Sequence, residues 1–274
     1  MKKQVFNPYL PSWEYIPDGD PHVFGERLYV FGSHDRFNGT LFCQNDYVCW
    51  SAPLDDLGNW QFEGTIYRKA QDPLAKEDSI MQAPDVCQGP DGRFYLYYTL
   101  GLVPVMAVAV CDTPAGQYQY YGLIQYDDGT PVGKREHDLF QFDPGVFRDD
   151  DDHVYLYSGF GPEKDGMFAA ACQKYRMNGA YVMELEPDMR TIKGIPRRIV
   201  PKNGLAAGTG FEGHGFFEAS SMRKIGGRYY FVYSSGLSHE LCWAVSDRPD
   251  GGFQYGGTLV SIGDIGLTDQ PRNY

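Results

Sequence analysis

The chain has 274 residues, 42% of them hydrophobic and 22% charged, which is enough apolar material for a sizeable core in one large or two ordinary domains. A net charge of −12 repels phosphate backbones and anionic lipid surfaces, so nucleic acid and membranes are not expected as partners and a neutral substrate is permitted. Aromatic residues reach 15% with 21 Tyr, beside 33 Gly and 18 Pro, and this pairing of strand formers with turn formers points to an all-β fold.

The opening segment MKKQVFNPYLPSW carries two lysines with no apolar stretch of about 7–15 residues behind them, so it does not read as a signal peptide. No apolar run of about 18 residues follows anywhere, so no membrane span is expected, and the chain is read as cytoplasmic. The first predicted strand starts at Asp20-Pro21-His22-Val23-Phe24, turns at Gly25-Glu26 and returns as Arg27 to Ser33. Strands follow at Tyr47 to Ala52 and at Trp60 to Gly64. The same order recurs from Asp85-Val86-Cys87, through a turn at Pro90-Asp91-Gly92, to Arg93–Thr99, Ala107–Asp112 and Tyr118–Gly122. A third pass runs from Asp143-Pro144-Gly145-Val146-Phe147 and a turn over Asp149–Asp152 to His153–Gly159 and Tyr181–Glu186. Its fourth strand, near Ile192–Ile199, matches the others poorly. The last pass begins at Glu218-Ala219-Ser220-Ser221-Met222, turns at Gly226-Gly227 and continues as Arg228–Ser234, Glu240–Asp247 and Phe253–Gly257.

The second strands start at residues 27, 93, 153 and 228, and each has Tyr in its third position: Tyr29, Tyr95, Tyr155 and Tyr230. Strand, turn residues and strand form a hairpin signature. Four strands repeated at about 60–75 residues predict the meander sheet of a propeller blade, longer than the 40–45 residues of a WD40 blade. No helical hydrophobic period of useful length appears. The fold class expected is therefore an all-β propeller, as one domain over residues 1–274, with four blades legible.

In a propeller the first strand of each blade lines the central channel. Here every first strand opens on an acid: Asp20, Asp85, Asp143 and Glu218. A single Asp at a strand start is more often a turn or cap residue than a catalyst. Four at matching positions predict one shared pocket, in which like charges raise one another's pKa and mark function. A pair of carboxylates, one protonated and one ionised, is what glycosidic cleavage requires. His22, His34, His214 and His239 lie beside predicted channel-facing strand ends, where a sugar hydroxyl finds donors and acceptors. Trp13, Phe37 and Phe217 are candidates for a stacking wall, with core packing the ordinary role for Phe217. The six cysteines lack a CxxC pair and read as buried free thiols, with Cys43–Cys49 the alternative as a disulfide. The histidines lack the compact spacing of a zinc enzyme. The acidic run Asp149–Asp152 has the look of a calcium loop, but a solvated hairpin turn is the simpler reading.

Four motifs in order carry a resemblance: Gly19-Asp20-Pro21-His22, Ala83-Pro84-Asp85-Val86, Phe142-Asp143-Pro144-Gly145-Val146-Phe147 with its acidic turn, and Phe217-Glu218-Ala219 before the Gly226-Gly227 hairpin. With them the chain resembles glycoside hydrolase family 43, the five-bladed propellers that remove arabinofuranosyl or xylosyl units, from about residue 7 to its end. The resemblance implies that Asp20 is the general base that activates water, Glu218 the general acid, and Asp143 the residue that raises the acid's pKa and holds it in place. It implies inversion, with base and acid about 6.5–9.5 Å apart. Asp85 then becomes a pocket or structural acid rather than a catalyst; His34, Phe37, His214 and His239 remain the substrate-contact candidates given by their positions. The resemblance departs at Ala219-Ser220, where family members often have Gly-Pro after the Glu. It also implies a fifth blade with an Asn-His-Gly motif whose His helps hold a structural calcium; the sequence reaches Pro271-Arg272-Asn273-Tyr274 short of that motif. No catalytic metal and no other cofactor are expected. The expected activity is release of terminal α-L-arabinofuranosyl or β-D-xylosyl units from plant-derived oligosaccharides. A sugar-binding propeller without turnover and an endo-arabinanase are the alternatives.

Overall fold

A computed structural model describes residues 8–101, 103–163, 168–236 and 239–261. Residues 271–274, named above with the expected fifth blade, lie outside them, as do the first seven. Sixteen strands form four antiparallel four-stranded sheets, each a meander taken in chain order. They are β1 (Asp20–Phe24), β2 (Arg27–Phe31), β3 (Tyr47–Pro53) and β4 (Gln61–Tyr67); β5 (Asp85–Gln88), β6 (Phe94–Thr99), β7 (Met106–Cys111) and β8 (Gln119–Leu123); β9 (Gly145–Arg148), β10 (Val154–Phe160), β11 (Gly179–Leu185) and β12 (Ile192–Pro201); and β13 (Phe216–Ile225), β14 (Arg228–Ser235), β15 (Leu241–Ser246) and β16 (Gln254–Val260). This is the blade of a propeller four times over. The α-helix among the described residues, α1, covers only Ala169–Lys174. No helix of the described residues is long and apolar enough to cross a membrane.

Turn chemistry explains the hairpins. Gly226 and Gly227 both take positive φ, at 59° and 80°, as a two-residue turn with the twist of its strands demands. Asp152 takes φ 68° where the third blade turns, and the Asp149 amide donates to the His153 carbonyl at 2.8 Å. The acidic run there is a hairpin turn held by side-chain cations. Lys224 Nζ reaches Asp149 Oδ1 at 2.5 Å and Asp150 Oδ2 at 2.8 Å, and Arg148 pairs with Asp152.

The poorly matched fourth strand of the third blade exists as β12, ten residues long. Its register on β11 shifts twice, as do those of β4 on β3 and β16 on β15, so what sets it apart is its length and its lack of the aromatic-and-Gly ending of the other fourth strands. Of the repeated tyrosines, Tyr95 and Tyr155 are buried while Tyr29 and Tyr230 are half-buried, so the repeat marks a ladder position rather than a core contact.

The described residues fall into two compact units, one holding β1–β6 and most of β7 and β8, the other β9–β16. In the first unit, Phe24 meets Phe94 edge-on at 5.0 Å. The Tyr67 and Tyr98 hydroxyls share a hydrogen bond of 2.8 Å, and Tyr98 donates on to the buried Asp72. Burial pushes both phenols up, so they stay protonated as donors. In the second unit a continuous core joins the two blades through Tyr157, Val182, Phe216, Phe231 and Tyr233. Each such aromatic removes a large apolar area from water, and the hydroxyls find partners; Tyr157 donates to the Pro249 carbonyl at 2.9 Å. All six cysteines are free, four of them buried, so Cys43 and Cys49 do not pair.

Candidate functional site

Each acid singled out from the sequence stands at the start of its blade's first strand. Asp20 opens β1 and Asp85 opens β5; Asp143 lies two residues before β9, and Glu218 is the third residue of β13.

In the first unit, β1 alternates between half-buried and exposed positions, so Asp20 and His22 share one face. The His22 imidazole is the hinge of the group. Its Nε2 lies 2.5 Å from Asp85 Oδ1 and 3.8 Å from Asp20 Oδ2. Asp85 is only 1% exposed and its Oδ1 also accepts the Val86 amide at 2.8 Å, so its carboxylate is fixed by backbone and ring together. Asp20 keeps a solvent-facing share of its side chain. Of the two carboxylates, it is the more exposed.

His34 is fixed differently. Its Nδ1 is 3.1 Å from the Asp46 carbonyl and its Nε2 is 2.9 Å from Glu14 Oε1. The Glu14 side chain is 3% exposed and also accepts the Trp50 indole N–H at 2.8 Å. Both ring nitrogens are thus engaged, which fixes the orientation of the imidazole. Phe37 stands 70% exposed and stacks on Tyr15 at 6.0 Å, and Trp13 is 63% exposed against Trp50. These rings leave apolar faces open, as a surface for a sugar ring requires.

In the second unit, local strain places the acids. Asp143 takes φ 42°, in the left-handed region that Asp tolerates better than most residues. On β13 two register shifts bracket Glu218: Phe216 pairs with Ser235, Glu218 with Ser234, and Ser221 with Val232. Two extra residues are thereby absorbed, and Ala219 is held at φ 63°. The Ala219 amide donates to Asp143 Oδ2 at 3.3 Å, so Asp143 is one peptide away from Glu218. Gly145 lets the strands approach: a Cβ there would fall within van der Waals overlap of the Ser220 carbonyl. His239 closes the group. Its Nδ1 is 3.6 Å from Glu218 Oε1 and its ring meets Phe217 edge-on at 4.7 Å. Burial lowers the His239 pKa, which keeps the ring neutral beside the acid at neutral pH. Phe217 packs against the cluster of Phe140, Phe142 and Phe160, the core role expected for it.

His214 is turned elsewhere. It stacks on Tyr255 at 4.4 Å and its Nδ1 faces Glu240 Oε2 at 3.3 Å. The structure thus brings Asp20 together with Asp85, and Asp143 together with Glu218 and His239. His34 and His214 each form a group of their own. Sequence reading missed Glu14, Glu240 and Cys242. Glu14 sits in a loop without a repeat to flag it, and the other two differ from their blade counterparts in residue type.

Among the described residues, two groups of three side chains could hold a metal ion: Asp20, His22 and Asp85, and His214, Glu240 and Cys242. Calcium takes six to eight oxygen donors, so neither group, each with nitrogen or sulfur in it, fits calcium.

Residues 17–251 match the family described as Glycosyl hydrolases family 43. The chain is similar to a protein of Thermoclostridium stercorarium named xylosidase/arabinosidase, 56% identical over 266 residues, which is 97% of this chain and 54% of that one. The chain therefore spans about half the length of that relative. A solved family 43 enzyme from Xanthomonas citri complexed with xylose superposes with a TM-score of 0.71 at 28% identity, over 91% of this chain and 75% of the other. A family 43 β-xylosidase/α-arabinofuranosidase from a compost microbial metagenome, solved with xylotriose in what is described as its calcium-free form, gives 0.72 at 25% identity, over 94% and 81%. Four propeller-type blades, each headed by an acid in the expected order, and a match that runs from before Asp20 to beyond Glu218 lead to one assignment: the chain belongs to family 43 of the glycosyl hydrolases.

Proposed function

We propose that the chain is an inverting glycosidase that releases terminal α-L-arabinofuranosyl or β-D-xylosyl units from oligosaccharides. The observation that carries the reading is the 56% identity, along 97% of this chain, to a protein named xylosidase/arabinosidase. In this reading Asp20, the more exposed carboxylate of its group, takes the proton of the attacking water. Glu218 gives its proton to the leaving oxygen. Asp143 orients it through the Ala219 amide and, as a second negative charge, favours its protonated form. The water attacks from the face opposite the leaving group, so the anomeric configuration inverts. Asp85 positions Asp20 through His22. Phe37, His34 and His239 are the remaining substrate contacts we propose. The domain is read as a single propeller of the five-bladed family type, and no step is assigned to calcium.

The test is release of nitrophenol from nitrophenyl α-L-arabinofuranoside and β-D-xyloside, beside Asp20→Ala and Glu218→Ala, with the anomer of the first product followed by proton NMR. Hydrolysis lost in both variants, with an inverted product from the wild type, supports the reading. A folded wild-type chain that binds these sugars without releasing them would make it a binding protein instead. Retention at the anomeric carbon would remove Asp20 from the role of base.

A further inference from the structure

In the fourth blade three side chains that the proposed hydrolysis does not use converge at one end of the sheet. His214 lies just before β13, Glu240 just before β15, and Cys242 is the second residue of β15. Their donor atoms all lie within 4.8 Å of one another. His214 Nδ1 and Glu240 Oε2 are both shielded from solvent, and neither has a hydrogen-bond partner. They face each other at 3.3 Å without the geometry of a hydrogen bond. Two buried polar atoms left in this state cost about 1–3 kcal/mol each, unless a third body satisfies both.

A cation is such a body, and the spacing fits one. Tetrahedral zinc with bonds of about 2.0–2.1 Å to nitrogen and oxygen holds those two donors roughly 3.3 Å apart, the separation observed. The third donor, the Cys242 sulfur, makes the set imidazole, carboxylate and thiolate. That mixture selects borderline-soft divalent ions and is wrong for calcium or magnesium. The supporting contacts resemble those that orient metal ligands. The Tyr255 ring stacks on the imidazole with an interplanar angle of 10°, Ser261 Oγ donates to Glu240 Oε1 at 3.3 Å, and the Cys242 sulfur lies 3.7 Å from Thr258 Oγ1.

We propose that His214 Nδ1, Glu240 Oε2 and Cys242 Sγ form a binding site for a zinc-class divalent cation, with a water as fourth ligand. Binding forms one bond from each of the three side chains to the ion, and Cys242 releases its proton to solvent as its sulfur becomes the thiolate ligand. His214 then serves the ion and not the sugar, and the ion ties the start of β13, the strand of Glu218, to β15. The site does not depend on the glycosidase reading.

The chain, stripped with chelator and shown to be folded by its circular dichroism, is titrated with Zn2+ by calorimetry and with Co2+ by absorption. Cys242→Ser, His214→Ala and Glu240→Gln are treated alike, with thermal melts of each. One equivalent is expected, with a raised melting temperature and a sulfur-to-cobalt charge-transfer band. Each variant should lose affinity by more than the 10–100-fold that removal of a supporting contact costs, and Cys242→Ser should lose the band while retaining any residual cobalt binding. Absence of binding to the folded wild type overturns the proposal. So does binding that all three variants retain, since the ion would then sit elsewhere. If a variant fails to fold, the charge-transfer band of the wild type decides alone: cobalt bound without it means that Cys242 is not a ligand.

Discussion

Adding one methyl group at Gly145 tests whether the acids of the second unit are placed by backbone contact. The φ of Gly145 is not in the left-handed region, so alanine can adopt its backbone and the only cost is space. The new Cβ would overlap the Ser220 carbonyl oxygen, with the Ser220 carbon at 2.8 Å and its Cβ at 3.2 Å. To regain ordinary contact the Ser220 backbone must retreat by about 0.5–1 Å. Overpacking of this kind costs about 1–3 kcal/mol. For a chain of this size that is a fall of roughly 2–12 °C in melting temperature. Ser220 is two residues from Glu218, and Asp143 is two residues from Gly145 and bonded to Ala219, so the shift reaches both acids. A displacement of about 1 Å at a reacting group can cost about 100-fold in rate. Gly145→Ala is therefore expected to lower kcat/KM on an aryl glycoside far more than its melting temperature suggests, measured by nitrophenol release at a temperature where the variant is fully folded. Wild-type kcat/KM in a destabilised Gly145→Ala would refute the reasoning, because the strain would have relaxed without moving the acids.

Three further outcomes follow from the same geometry. Glu218→Gln and Asp20→Asn should lower kcat by about 10²–10⁴ with circular dichroism unchanged, since each removes a group proposed to transfer a proton and little packing. His22→Ala should destabilise the chain by about 1–3 kcal/mol in urea denaturation, because the buried Asp85 loses a charge-assisted partner, and His22→Asn should recover part of that loss. Burial alone would raise the Asp149 pKa, but Lys224, the Tyr229 hydroxyl and the Asp150 amide outweigh it and hold the carboxyl below the aspartate value of 3.8. A depressed carboxyl contributes stability that is present above that value and lost as the pH falls through the lower, folded-state pKa. Lys224→Met should therefore move the midpoint of acid unfolding to higher pH while leaving the midpoint of urea unfolding less changed at pH 3 than at pH 7.

Strand positions and their acids were legible because the causes are local. Alternation of period two, a turn of Gly226-Gly227 or Pro90-Asp91-Gly92, and a carboxylate at the head of each first strand are written in neighbouring residues. The misfit of β12 has a local cause as well, since it lacks the aromatic-and-Gly ending that Trp60–Gly64, Tyr118–Gly122 and Phe253–Gly257 share. Even the order Asp20, Asp85, Asp143, Glu218 needs only a repeat to be seen. What a letter string does not carry is which side chains satisfy one another. His22, His34, His214 and His239 look alike as loop or strand-end histidines. In the folded chain one bridges two carboxylates, one is fixed by the buried Glu14, one faces Glu240 and Cys242, and one stands neutral beside Glu218. Those differences depend on distant partners, Asp85 for His22, Glu14 for His34, Glu240 for His214 and Glu218 for His239, and on how much water each pair loses. Propensity and periodicity decide where the chain extends and turns, while burial and distance, which only the tertiary structure supplies, decide what each polar group does there.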